Sequence, residues 1–266
     1  MDVIQRNFIR LLRAGAFTAR RETIEPMSPW KWQRLEQLAL LHEVAPLVYQ
    51  GMLLHKDDFF IHMPDEEWRE KSGEMRKESE LLSPTRLTNP LLNKRLQSLL
   101  NAPDTNEGTR KLALLLVGFG RHLLNAGISL RLLADIGATL RQHKGRIDNV
   151  SLQQWTKLLK LTSVARLAGQ LLVRLFEFKK EDIPFVFDDK AIAHIDRLLD
   201  ETFSLRSRET DDWYFTQGKN IFIQTSNSQA MFGQLHHSMR YFGYYPAETV
   251  TNFFASFAHS LSHIEE

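Results

Sequence analysis

Leu112-Ala113-Leu114-Leu115-Leu116-Val117-Gly118-Phe119-Gly120-Arg121-His122-Leu123-Leu124-Asn125-Ala126-Gly127-Ile128-Ser129-Leu130-Arg131-Leu132-Leu133-Ala134-Asp135 is the stretch that decides the fold. Apolar side chains at 112, 115, 116, 119, 123 and 124 recur at three- and four-residue intervals, which puts them on one face of an α-helix. Asn125-Ala126-Gly127 then reads as a stop, because asparagine and glycine accept the left-handed backbone that ends a helix. A second helix follows with Leu130, Leu133 and Leu140 on its apolar face. The most apolar run, Leu112 to Phe119, is far shorter than the roughly 20 residues that cross a bilayer. It predicts a buried helix in a soluble, cytoplasmic protein with no membrane association.

The same period continues on both sides. Toward the N-terminus, Phe8, Leu11 and Leu12 predict a helix ending near Gly15, and Ser28-Pro29 opens a second one carrying Trp32, Leu35, Leu38 and Ala39. Pro46 to Leu54 predicts a short apolar helix, and Pro64-Asp65-Glu66-Glu67 starts a charged one running to about Glu80. Prolines 84, 90 and 103 break up the middle, and 103–108 reads as an exposed linker. Toward the C-terminus, Ser151-Leu152-Gln153-Gln154 reads as a capping box, followed by helices over 164–178 and 190–203. Trp213 to Thr225, with Ile221-Phe222-Ile223, is the one candidate extended segment, and helices over 228–241 and 246–263 close the chain. The expected fold is therefore mainly α: a multi-helix globular protein of ten or eleven helices, with at most a short extended segment near 213–225. Two helical blocks, 1–102 and 109–266, are expected to pack as one unit.

Composition limits the chemistry. The 266 residues are 43% apolar and 25% charged, as in a soluble globular protein with a sizeable core. Thirty-four Lys and Arg against 32 Asp and Glu leave a net charge of +2, which argues against dedicated nucleic-acid binding. Arg10, Arg13, Arg20 and Arg21 accordingly read as a solvated face. The absence of cysteine excludes disulfides, thiolate metal sites and a cysteine nucleophile. His259 and His263 share a helix face but lack the glutamate of a zinc-protease motif, and adjacent His236 and His237 diverge on a helix. His42, His55 and His62 read as surface or loop histidines, and Asp57-Asp58, Asp188-Asp189 and Asp211-Asp212 as caps or turn formers. With no Gly-rich phosphate loop and no Gly-x-Ser-x-Gly elbow, neither a metal nor a cofactor is expected.

Two segments embed polar groups among apolar ones. His122, Arg131 and Asp135 flank the helix–turn–helix quoted above, and Arg131 and Asp135 are four apart, close enough to pair along one face. The second segment, Arg240-Tyr241-Phe242-Gly243-Tyr244-Tyr245-Pro246-Ala247-Glu248, clusters tyrosines at a Gly-Pro turn. Polar groups in such surroundings must be satisfied by a structural network or by a ligand. His122, Arg131, Asp135, Tyr244 and Tyr245 are thus the candidate ligand-binding residues, and no residue qualifies as catalytic.

These segments carry a resemblance. The pattern His122, Gly127, Ile128, Leu130, Arg131, Asp135 resembles the C-terminal helical part of a bacterial group of uncharacterised nucleotidyltransferases. Tyr244-Tyr245-Pro246-Ala247-Glu248 is similar to that group's closing tyrosine–proline–glutamate segment, and Leu11-Leu12-Arg13-Ala14-Gly15 with Trp32, Leu38-Ala39 and the 44–51 helix to its opening helices. The resemblance implies helical blocks flanking a small α/β core, whose Asp-x-Asp pair holds the divalent ions that bridge nucleotide phosphates. This chain contains no Asp-x-Asp, and only a linker lies between Leu100 and Arg110. The resemblance therefore implies a non-catalytic helical relative acting as a binding or scaffold module, with a possible protein partner. Two alternatives stand beside it. One is a divergent metal-dependent nucleotidyltransferase using carboxylates such as Asp135 and Asp148; the other is an obligate partner of a separately encoded catalytic core.

Overall fold

The computed structural model describes residues 1–18, 21–66, 68–70, 72–73, 86–102, 106–185, 192–203, 241–251 and 254. Among them there is no strand, and the protein is mainly α. In chain order the helices are α1 (Val3–Arg13), a π-helical turn (Ala14–Thr18), α2 (Pro29–Leu41) and α3 (Ala45–Leu54). They continue with α4 (Pro90–Leu100), α5 (Glu107–Ala126), α6 (Leu130–Gln142), α7 (Asn149–Leu158), α8 (Thr162–Phe176), a 3-10 turn (Lys180–Asp182) and α9 (Ile192–Thr202). The expected extended segment at 213–225 lies outside the described residues, as does the expected helix at 228–241 except for helical Tyr241, and most of the closing helix, of which 246–251 and 254 are helical. No described helix is long and apolar enough to cross a membrane.

The chain divides into two compact units. The first takes Met1–Pro84, Leu130–Gln142 and Gln170–Ile183, and the second takes Thr85–Ser129, His143–Gly169 and Pro184–Glu266. These units interleave along the chain, whereas the blocks 1–102 and 109–266 are consecutive.

In the first unit, α1 begins with a reciprocal cap: Asp2 accepts the Gln5 N–H and the Gln5 side chain accepts the Asp2 N–H. Gly15 was expected to end this helix, but the chain runs on through the π turn. The glycine serves close approach instead. A Cβ on Gly15 would lie 1.9 Å from the Leu47 carbonyl oxygen, and one on Gly51 would lie 2.0 Å from that of Leu11. Around this crossing Phe8, Leu11, Leu12, Trp32, Leu35, Val48 and Met52 are buried as α1, α2, α3 and the π turn pack together.

The π turn also delivers Phe17 into an aromatic cluster. Its ring meets Phe176 at 4.9 Å and Phe178 at 5.3 Å, both edge-on. The Arg141 guanidinium lies 5.0 Å and 4.8 Å from the Phe17 and Phe178 ring centres, and its Nη1 donates to the Phe17 carbonyl at 2.7 Å. Gly137 leaves room for this ring, since a Cβ there would stand 2.8 Å from Phe17 Cζ.

The basic N-terminal face is not simply solvated. Arg6 and Arg10 both bind the Glu25 carboxylate, Arg13 pairs with Glu22 and Glu177, and Arg21 donates to the Leu54 carbonyl. Asn7, fully buried, exchanges two hydrogen bonds with the Glu25 backbone at 2.8 and 3.0 Å. These contacts fix the extended residues before α2 onto α1. They also hold the Glu25 carboxyl down at about 2, chiefly through the Arg6 hydrogen bonds.

In the second unit, α7 packs against both α5 and α4, over buried Leu112, Leu116, Phe119, Leu152, Trp155 and Leu159. α5 stops where expected, with Gly127 at φ 84°. The cap of α7 differs from the expected Ser151 box. Asp148 accepts the Val150 and Ser151 N–H groups and the Ser151 hydroxyl, and these bonds lower its pKa. A carboxylate satisfies the positive helix end better than a hydroxyl, so the helix starts two residues before Ser151.

Gly51→Ala is expected to destabilise the protein by at least about 3 kcal/mol, the upper end of overpacking costs, because the obstructing atoms are backbone. Urea unfolding of the variant measures it, and an unchanged midpoint would refute the close crossing. A second prediction follows from Glu25, whose pKa falls from 4.5 to about 2 on folding. Its stabilising effect is full above the unfolded value and disappears as pH drops through the folded one. The stability gap between the protein and Glu25→Gln should therefore shrink on acidification between those two values, as followed by urea midpoints at stepped pH.

Candidate functional site

The five candidate residues fall in two groups: Arg131 and Asp135 in the first unit, His122, Tyr244 and Tyr245 in the second. Arg131 Nε donates to Asp135 Oδ2 at 3.2 Å, the i,i+4 pairing along α6 that their spacing predicted. One turn further on, the Thr139 hydroxyl donates to the Asp135 carbonyl at 2.8 Å.

His122 lies in the last turn of α5 and closes that helix. Its Nδ1 is 3.0 Å from the Gly127 carbonyl oxygen. Because a carbonyl only accepts, Nδ1 carries the proton, which sets the tautomer and fixes the ring against the helix end.

Tyr244 and Tyr245 occupy a turn between Tyr241 and the helical residues 246–251. The Tyr244 N–H donates to the Tyr241 carbonyl at 2.9 Å, and the two rings lie 6.5 Å apart. Burial, then the neighbouring Tyr241, pushes the Tyr244 hydroxyl up to about 12. Tyr245 is wholly buried, and its ring packs on Gly120, where a Cβ would come within 3.2 Å. Its hydroxyl donates to the Leu159 carbonyl at 3.1 Å, at the end of α7. Burial, reinforced by Glu248, raises its pKa as well. Both shifts favour the neutral hydroxyl.

Glu248 completes this arrangement. It is 1% exposed, yet its carboxylate accepts the backbone N–H of Thr88 and, at 3.0 Å, that of Asn89. Asn89 caps α4 by accepting from Leu91 and Leu92. The tyrosine–proline–glutamate segment thus fastens the ends of two helices, α7 through Tyr245 and α4 through Glu248. Placing the glutamate three residues after the tyrosine puts both on one side of a helical turn. The segment's sequence showed its buried character but not which helix ends it would meet.

Two expectations about histidines are corrected. His42 and His55 stand in the turns after α2 and α3, as the loop half of the expectation has it, but they are buried rather than at the surface. His55 Nδ1 contacts Asp58 Oδ2 at 2.7 Å, and its Nε2 faces the Glu22 N–H at 3.4 Å. His55 ends α3 three residues before Asp58, so the turn itself brings them together. His42 packs its ring near Phe8, with centroids 6.3 Å apart. His62 is exposed. The pairs His236–His237 and His259–His263 lie outside the described residues, as do Asp188–Asp189 and Asp211–Asp212.

Among the described residues, no group of three His, Asp or Glu side chains is placed to hold a metal ion. A cavity of about 220 Å³ in the first unit is lined by Ala14, Gly15, Ala16, Phe17, Gln50 and Leu54, with Gln50 its one polar side chain. It holds no group able to transfer a proton or act as a nucleophile.

No protein-family model, curated protein or solved structure matches the chain.

Glu248→Ala leaves two N–H groups of the α4 cap without their charged acceptor and is expected to cost about 2 kcal/mol, while Tyr245→Phe costs about 1 kcal/mol. Chemical denaturation of both variants tests this. Wild-type stability in Glu248→Ala would show that the carboxylate does not hold α4.

Proposed function

We propose that the chain is a helical binding or scaffold protein and, on the sequence resemblance alone, a non-catalytic relative of the bacterial nucleotidyltransferase group. One observation supports it most: the polar groups that a nucleotide site would need are engaged in holding the fold. Asp135 pairs with Arg131, His122 closes α5, Tyr245 fastens α7, and Asp148 caps α7. A divergent transferase would have Asp135 and Asp148 ligate divalent ions while also making these structural contacts.

A further observation favours the alternative of an obligate partner of a separately encoded catalytic core. Leu91 on α4 and Val150 and Leu158 on α7 are exposed, although α4 and α7 pack together and Arg95 bonds the Leu158 carbonyl at 3.0 Å. A separately encoded subunit would cover such side chains.

Incubation with each labelled nucleoside triphosphate and Mg²⁺ or Mn²⁺ is expected to give no transfer to protein, RNA or small acceptors. Transfer that disappears in Asp135→Asn or Asp148→Asn would overturn the proposal in favour of the divergent enzyme.

A further inference from the structure

On α4, Leu91, Lys94 and Arg95 stand three and four residues apart and so share one helix face. All three are exposed, while Leu92 and Leu96 are buried behind them. Where α7 packs against α4, Arg95 Nη1 reaches across and donates to the Leu158 carbonyl at 3.0 Å. That bond sets Lys157 and Leu158, the exposed last residues of α7, beside the α4 face. The Lys160 N–H donates to the Lys157 carbonyl at 3.2 Å, and this turn keeps another exposed lysine at the same helix end. Leu91 is 71% exposed and Leu158 46%, so two apolar side chains lie among four cations.

The protein does not offset these charges. Neither α4 nor α7 contains an Asp or Glu. Among the described residues, none of Lys94, Arg95, Lys157 and Lys160 forms an ion pair. The carboxylates that serve the two helices are engaged elsewhere: Asp148 caps the opposite end of α7, and buried Glu248 accepts from Thr88 and Asn89. A helix C-terminus carries about half a negative charge, which four cations exceed several times over.

The mixture of charge and leucine selects the kind of occupant. A nucleic-acid backbone would meet the cations but leave both leucines in water. Neither helix exposes an aromatic ring for its bases either, since Trp155, the one aromatic residue of the pair, is buried. A bilayer takes in side chains that protrude, whereas Leu158 keeps about half its surface against the protein and lies under Arg95. A polypeptide laid along the seam reaches both kinds of group, its carboxylates on the cations and its apolar side chains on the leucines.

We propose that the seam between α4 and α7 is a docking site for a protein partner, through a segment that combines Asp or Glu with apolar side chains. The proposal rests on the binding-module reading and names the surface and partner chemistry for it.

The test selects binders to the full chain from a displayed library of random peptides and measures the selected peptides by fluorescence anisotropy. Peptides joining Asp or Glu to Leu, Ile or Phe are expected, binding more weakly as salt rises. Their affinity should drop at least about tenfold when Lys94→Gln, Lys157→Gln and Lys160→Gln are combined, and about as much for Leu91→Ser. Trp30→Ser, at an exposed residue of the first unit, should leave it unchanged. All these variants alter exposed side chains, and circular dichroism confirms that they fold. Failure to select any peptide, peptides without acidic residues, or binding that survives the lysine and leucine variants would overturn the proposal. So would binding of polyuridine RNA or of phosphatidylserine vesicles as tight as that of the selected peptides. Nucleotidyl transfer would sink the non-catalytic reading and leave this result standing, so the two fail separately.

Discussion

Two backbones meet without side chains between them where Gly15 faces the Leu47 carbonyl and Gly51 faces the Leu11 carbonyl. The rest of the first unit depends on this contact. It lets α1 and the π turn lie directly on α3, which brings Phe8, Leu11 and Leu12 into the same core as Val48 and Met52. The wider π turn, with its i to i+5 hydrogen bonding, continues the chain past the crossing and aims Phe17 at Phe176 and Phe178. Helix geometry, a pair of glycines and an aromatic cluster are therefore one construction. A methyl group at either glycine would push α1 and α3 apart and draw the aromatic cluster with them.

The second unit solves a different problem. Its helix ends leave backbone groups in need of partners, and side chains of the same unit supply them. Tyr245 covers the Leu159 carbonyl, Glu248 the Thr88 and Asn89 N–H groups, and His122 the Gly127 carbonyl. Polar residues embedded in apolar sequence look like a site when read singly. Placed in the fold, each completes a terminus. That placement is what the proposed non-catalytic reading leans on.

Much of this was legible in the sequence. The 3.6-residue period over 112–124 located α5, and Gly127 its end, because a left-handed glycine is a local property of the chain. The Arg131–Asp135 pair was legible for the same reason, since four residues on a helix make neighbours. What escaped was non-local or competitive. Gly15 looked like a stop because a glycine required by a facing carbonyl has the same one-letter signature as one that ends a helix. Ser151 looked like a cap until Asp148 outcompeted it with a charged acceptor. His55 looked exposed because nothing nearby in sequence reveals that Glu22 and the end of α3 enclose it.

The bond between Glu248 and the start of α4 joins residues separated by 159 and 160 positions. On a ribosome, α4 would emerge and wait until Glu248, 159 residues after Asn89, had been added before its first N–H groups found their carboxylate. Until then that end of the helix is left to water and to Asn89 alone. The second unit therefore keeps this fastening open until the segment carrying Glu248 has been made, however early α4 itself forms.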